Sequence, residues 1–153
     1  AYAHEQAHWD QLVACVKETF KPFDIQVVTT DPGPSANHFE VMVGGTSRQL
    51  NPGLALLGGI APYVSCGATS NNGLSFVFAS SSANINFLCG AVAQEACHVW
   101  GLDHELDAVG DEREGIPALE CQLLTSMVGN HEDRVVIRRI LAPPSVPGLS
   151  DPS

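Results

Sequence analysis

The sequence predicts a single domain of the α+β (mixed α/β) class, and three observations predict it. An amphipathic helix opens the chain, short β-branched strands follow it, and a long apolar helix follows the strands. The elements do not alternate regularly enough for a doubly wound sheet. The chain has 153 residues, enough for one sizeable core. It is 44% hydrophobic and 16% charged, which reads as globular and neither disordered nor membrane-spanning.

Each element has its own signal. Over residues 5–20, Trp9, Leu12, Val13, Val16 and Phe20 recur at helical spacing. Pro22 in "KPFD" stops that helix. "DIQVVTTD" (24–31) alternates and is β-branched, so it reads as a strand closed by "PGP". "HFEVMVGG" (38–45) reads as a second strand, with Phe39, Val41 and Val43 on one face. "GLALLGGIAPYV" has glycines that break every period, and its state stays open. "NNG" (71–73) signals a turn, and "LSFVFASS" after it reads as a third strand. "SSAN" (81–84) offers caps for a helix that runs to about residue 99, where Gly101 stops it. Residues 103–120 are acidic and loop-like. Asn130 can cap a last helix, "HEDRVVIRRILA", with Val135, Val136, Ile140 and Leu141 as its buried stripe. The tail 143–153, "PPSVPGLSDPS", is expected to be extended or disordered, which leaves 1–142 as the domain.

Seven basic residues stand against 17 acidic ones, a net charge of −10. That argues against a nucleic-acid partner. The apolar runs fall far short of the roughly 20 residues that span a bilayer, so no membrane partner is expected either. The five cysteines, Cys15, Cys66, Cys89, Cys97 and Cys121, include no "CxxC" pair. In an acidic chain with Gly- and Pro-rich loops they point to a secreted protein with up to two disulfides. The chain begins with Ala and carries no basic-then-apolar leader, as a mature or excised form would.

Two stretches contain metal-site spacing. "HEQAH" has His4, Glu5 and His8 in the short zinc-peptidase pattern, where a spacing of four sets two imidazoles on one helix face. Three fixed letters are a weak signal, however. The pattern sits at a fraying terminus, its histidines fall toward the edge of the Trp9–Leu12–Val16 stripe, and no third ligand follows at a convincing spacing. It reads as a solvated first helical turn.

"QEACHVWGLDH" (94–104) is the stronger candidate. Glu95, His98, Gly101 and His104 occupy four of the five fixed positions of "HExxHxxGxxH". His98 shares a helix face with position 94. Gly101 lets the helix end in a left-handed turn, and that turn swings His104 back as a further ligand. Met127, in "LLTSMVGN", lies where a Met-turn would follow. The flanking "FLCGAVAQEACHVWGL" is apolar almost throughout, as a helix through the core should be.

On these residues, the stretch 83–130 resembles the catalytic half of a metzincin zinc peptidase, with a matrixin-like "GLDH" ending. The resemblance implies a zincin-like fold: an active-site helix over a twisted mixed sheet, a cleft beneath an edge strand, a Met-turn, and a C-terminal helix. It implies a secreted endopeptidase that hydrolyses peptide bonds through a zinc-bound water. Gln94, His98 and His104 would hold Zn2+, Glu95 would act as general base and then general acid, and Met127 would floor the site. A protein or peptide substrate and a monomeric state are expected with it.

The sequence also departs from that family. Gln94 takes the place of the first histidine, and its amide oxygen is a neutral, weaker partner for zinc than imidazole. Three arrangements follow: Gln94 is itself a ligand, which we favour; an imidazole comes from His4, His8, His38 or His131; or the site is empty and the domain binds without catalysing. Gly129, two residues after Met127, leaves no tyrosine there to steady an oxyanion, so another donor would be needed. Cys97 is expected to remain outside the disulfides, and the pairs expected are Cys89 with Cys121 and Cys15 with Cys66. "DHELDAVGDERE" is acidic enough for calcium but lacks EF-hand spacing, so it reads as a solvated loop.

Overall fold

The computed structural model describes residues 1–23, 25–62, 72–102 and 134–139. Within them lie three helices, α1 (Gln6–Phe20), α2 (Ser47–Leu50) and α3 (Ile85–Val99). Five strands, β1 (Gln26–Val28), β2 (Phe39–Val43), β3 (Gly59–Ile60), β4 (Leu74–Val77) and β5 (Arg134–Arg139), form one sheet in the order β1-β5-β2-β4-β3. β3 pairs antiparallel with β4, and the other pairings are parallel. The mixed sheet with helices establishes the α+β class.

α1 buries Trp9, Leu12, Val16 and Phe20 of the expected stripe and leaves Val13 half-buried, and it ends at Phe20 just ahead of Pro22. β2 buries Phe39, Val41 and Val43 and half-exposes the residues between them. Those three meet Leu88, Val92, Ala96 and Val99 of α3 and the buried face of α1 in one core. Burial of a dozen fully enclosed side chains there, at about 1.5–3 kcal/mol each, supplies the main cohesive force. The short helix α2 is held by a capping box: Thr46 Oγ1 accepts from the Gln49 N–H, and Gln49 Oε1 accepts from the Thr46 N–H.

Residues 134–139 correct the expected C-terminal helix. They form β5, inserted between β1 and β2 and parallel to both. Val135, Val136 and Ile137 are each fully buried. A central parallel strand is enclosed on both faces, so it reads as a continuous apolar run and not as an alternation. Three consecutive β-branched residues favour that state over a helix. The apolar spacing that suggested a helix depended partly on Ile140 and Leu141, which lie outside the described residues.

The disulfide is also a correction. Cys15 of α1 bonds Cys89 of α3, with Cα atoms 6.0 Å apart, which replaces both expected pairs. The two helices pack side by side, bringing within bridging distance two cysteines 74 residues apart in sequence. Cys66 and Cys121 lie outside the described residues. Cys97 is a buried thiol, as expected. Among the described residues no helix is long and apolar enough to cross a membrane.

Candidate functional site

The site is built on the second half of α3. Asn84 starts that helix, its Oδ1 accepting from the Asn86 and Phe87 N–H groups at 2.9 and 3.2 Å. From Val92 to Val99 most positions are buried, while Gln94 and His98 are half-exposed, as are Gly90 and Ala91 one turn earlier. Gln94 and His98 therefore share the one open face of an otherwise enclosed helix end.

Gly101 ends the helix as the spacing predicts. Its φ is +80°, the left-handed region, where a glycine carries no Cβ penalty. The Gly101 N–H donates to His98 O at 3.0 Å and the Leu102 N–H to Cys97 O at 3.1 Å, a Schellman closure. The turn returns the chain over the helix end and brings Leu102 O to 2.7 Å from His98 Nδ1. A carbonyl oxygen only accepts, so Nδ1 carries the hydrogen, and in the neutral ring Nε2 is then the nitrogen with the lone pair. This is how an imidazole is oriented for a metal: one nitrogen is tied to a backbone carbonyl and the other keeps its lone pair.

Glu95 lies beside this pair at a core-facing position, only 6% exposed. Burial disfavours its charged form and pushes its carboxyl up to about 7. Above it runs the edge strand β3. A Cβ built on Gly59 would fall 2.6 Å from Glu95 Cγ and 2.7 Å from Cδ. Nothing in the sequence analysis identified Gly59. Its only signal was the broken period of "GLALLGG".

The N-terminal motif is arranged differently. His4 precedes α1, and its Nε2 donates to Ala79 O at 3.1 Å. His8 Nε2 donates to Ala83 O at 2.8 Å, and its Nδ1 accepts from the Tyr2 hydroxyl at 2.6 Å. Both nitrogens of His8 are thus engaged, and both histidines are half-buried, so the expected solvated turn is instead a docked one. The two rings lie in tilted contact with centroids 4.3 Å apart, and their bonds fasten the chain start to the segment that leads into α3. His38 turns Nδ1 to the nearby Ala36 O at 2.8 Å.

Among the described residues no three His, Cys, Asp or Glu side chains converge as a metal-holding group. His104, Met127 and His131 lie outside the described residues, as do the calcium candidate "DHELDAVGDERE" and the tail 143–153. The structure therefore brings together Gln94, Glu95, His98 and Gly101 of the expected set. No family model, no curated protein and no solved structure matches the chain.

Proposed function

We propose that the chain is a secreted, zinc-dependent endopeptidase of metzincin type, with Glu95 as its proton carrier. The observation that carries this reading is the His98 Nδ1–Leu102 O bond, made by the Gly101 turn. That bond gives the ring the tautomer a metal ligand needs. Gln94 would present its amide oxygen from the same open face, and His104 would complete the set. The disulfide supports an oxidising compartment.

Bound zinc would supply positive charge to polarise the scissile carbonyl and acidify the attacking water. The chain's own residues would do the rest. The Glu95 carboxylate accepts the proton of the attacking water, holds it on a carboxyl oxygen, and gives it to the leaving amine nitrogen. A carboxyl raised to about 7 suits both halves of that transfer near neutrality. Its burial beneath β3 keeps bulk water from competing for the proton.

A second reading is favoured by Gln94, a neutral ligand where an imidazole would bind more tightly. In it, the domain has the zincin fold and binds a partner without hydrolysing it. Peptide hydrolysis by the zinc-loaded chain decides between the two. The first reading expects cleavage, with a loss of about 10³-fold or more in Glu95→Ala, within the range for removing a general acid–base. Cleavage that persists in pure Glu95→Ala protein sinks it.

A further inference from the structure

We propose that Gly59 is a positioning residue for Glu95, a role that rests on the endopeptidase reading above. The edge strand is fixed in place before it meets the carboxyl. The Phe78 N–H donates to Gly58 O at 2.8 Å, and the antiparallel pairs Gly59–Val77 and Ile60–Phe76 set the register. On that frame the backbone of β3 lies directly on α3. A Cβ on Gly58 would stand 3.2 Å from the Phe87 ring, and one on Gly59 would overlap the Glu95 side chain, closest to Oε1.

The need for glycine at 59 is not conformational. Positive φ angles occur at Gly33, Gly44, Gly45 and Gly101, and not at Gly59. An alanine at 59 is therefore unstrained in its backbone, and its cost is chiefly the collision with Glu95, which supplies the three nearest atoms. The missing side chain lets the strand act as a flat roof over the carboxyl. Beneath that roof the Glu95 side chain lies buried against the Gly59 backbone. A Cβ there must displace either the roof or the carboxyl. Both move the carboxyl oxygen from its place against Gly59, while the Gly101 turn and its carbonyl tie lie elsewhere on the helix end.

The test uses the full zinc-loaded chain. Gly59→Ala is expected to lower kcat about 10²-fold, the scale of an ångström's misplacement at a reacting centre, with KM and zinc content little changed. Thermal unfolding gives an independent readout. Gly59→Ala should lower Tm in the Glu95 chain and leave it nearly unchanged in a Glu95→Ala chain, where the colliding atoms are gone. An active wild type whose Gly59→Ala variant keeps its kcat overturns the positioning role alone. Equal Tm losses in both backgrounds overturn the contact. A wild type that cleaves no peptide overturns the endopeptidase reading and the positioning role with it, so the two failures are distinguishable.

Discussion

At residues 4–8 two imidazoles pack at a tilt and donate their Nε2 hydrogens to the carbonyls of Ala79 and Ala83. At residues 94–98 the imidazole is tied through Nδ1 instead, to Leu102 O, which makes Nε2 its acceptor. The first stretch spells a complete zinc motif and the second an incomplete one. Yet the first spends both Nε2 atoms, and His8 Nδ1 as well, on holding the chain start, while the second sits on the open face of α3, on a helix end with a buried carboxyl. A motif's letters give spacing. Whether they make a site depends on which ring nitrogen the backbone takes, and Gly101 controls that in the second stretch through its left-handed turn.

Zinc binding should break this comparison most sharply. His98→Ala is expected to weaken zinc affinity at least about 10²-fold, more than the loss of an outer-shell partner costs. His8→Ala should leave zinc affinity unchanged, because His8 is engaged by Ala83 O and Tyr2. Gln94→His should tighten binding, since it exchanges a neutral amide oxygen for an imidazole. Competition titration against a chromophoric chelator measures all three. Zinc affinity lost in His8→Ala and kept in His98→Ala would reverse the assignment of the two regions.

The sequence made α1 and β2 legible because each follows one period from end to end, and α3 because caps at 81–84 and Gly101 bound an apolar run. The Phe39–Val41–Val43 face and the Trp9–Leu12–Val16–Phe20 stripe are local patterns, and local patterns survive folding. β5 was not legible. Val135, Val136 and Ile137 are buried on both faces of a central strand, and a short apolar run with no alternation carries no period to read. The disulfide was hidden for a different reason, since Cys15 and Cys89 meet only when α1 and α3 pack. At the site, Glu95, His98 and Gly101 could be read from spacing. The Leu102 carbonyl could not, because backbone atoms have no letter. Gly59 was missed because its role is a distance to a side chain 36 residues away in sequence.

A second comparison sets Glu95 against Glu5, the acid of the complete motif. Glu5 is exposed, whereas Glu95 is 6% exposed with its carboxyl raised from 4.5 to about 7. Between those values the folded state holds a proton that the unfolded state has released. Stability should then fall as pH rises through this window, by about 1.4 kcal/mol per pH unit at most. The stabilisation is fully present below pH 4.5 and is lost by the time the pH passes about 7. Glu95→Gln in chelated, zinc-free protein should remove that segment of pH dependence. At pH 8 it should be more stable than wild type by something on the order of 3 kcal/mol. Urea unfolding across pH 4–8 reads this directly, and identical slopes for wild type and variant would mean that burial does not perturb the carboxyl.

The smallest expected effect belongs to the N-terminal clasp, and it separates a structural histidine from the proposed ligand His98. His8→Phe keeps an aromatic ring against His4 and Tyr2 but removes the bonds to Ala83 O and the Tyr2 hydroxyl. Neither partner is fully buried, so water can replace much of what is lost, and a cost of about 1 kcal/mol is expected. The effect should appear as faster amide exchange over the first turn of α1 and around Ala79–Ala83, where the clasp ends. Exchange at the α3 end, from Gln94 to Leu102, should not change, because the Schellman closure there is built from α3's own backbone. If protection fell at Gln94–Leu102 as well, the two regions would be one coupled unit, and His8 would act on the candidate site by holding the segment that leads into α3.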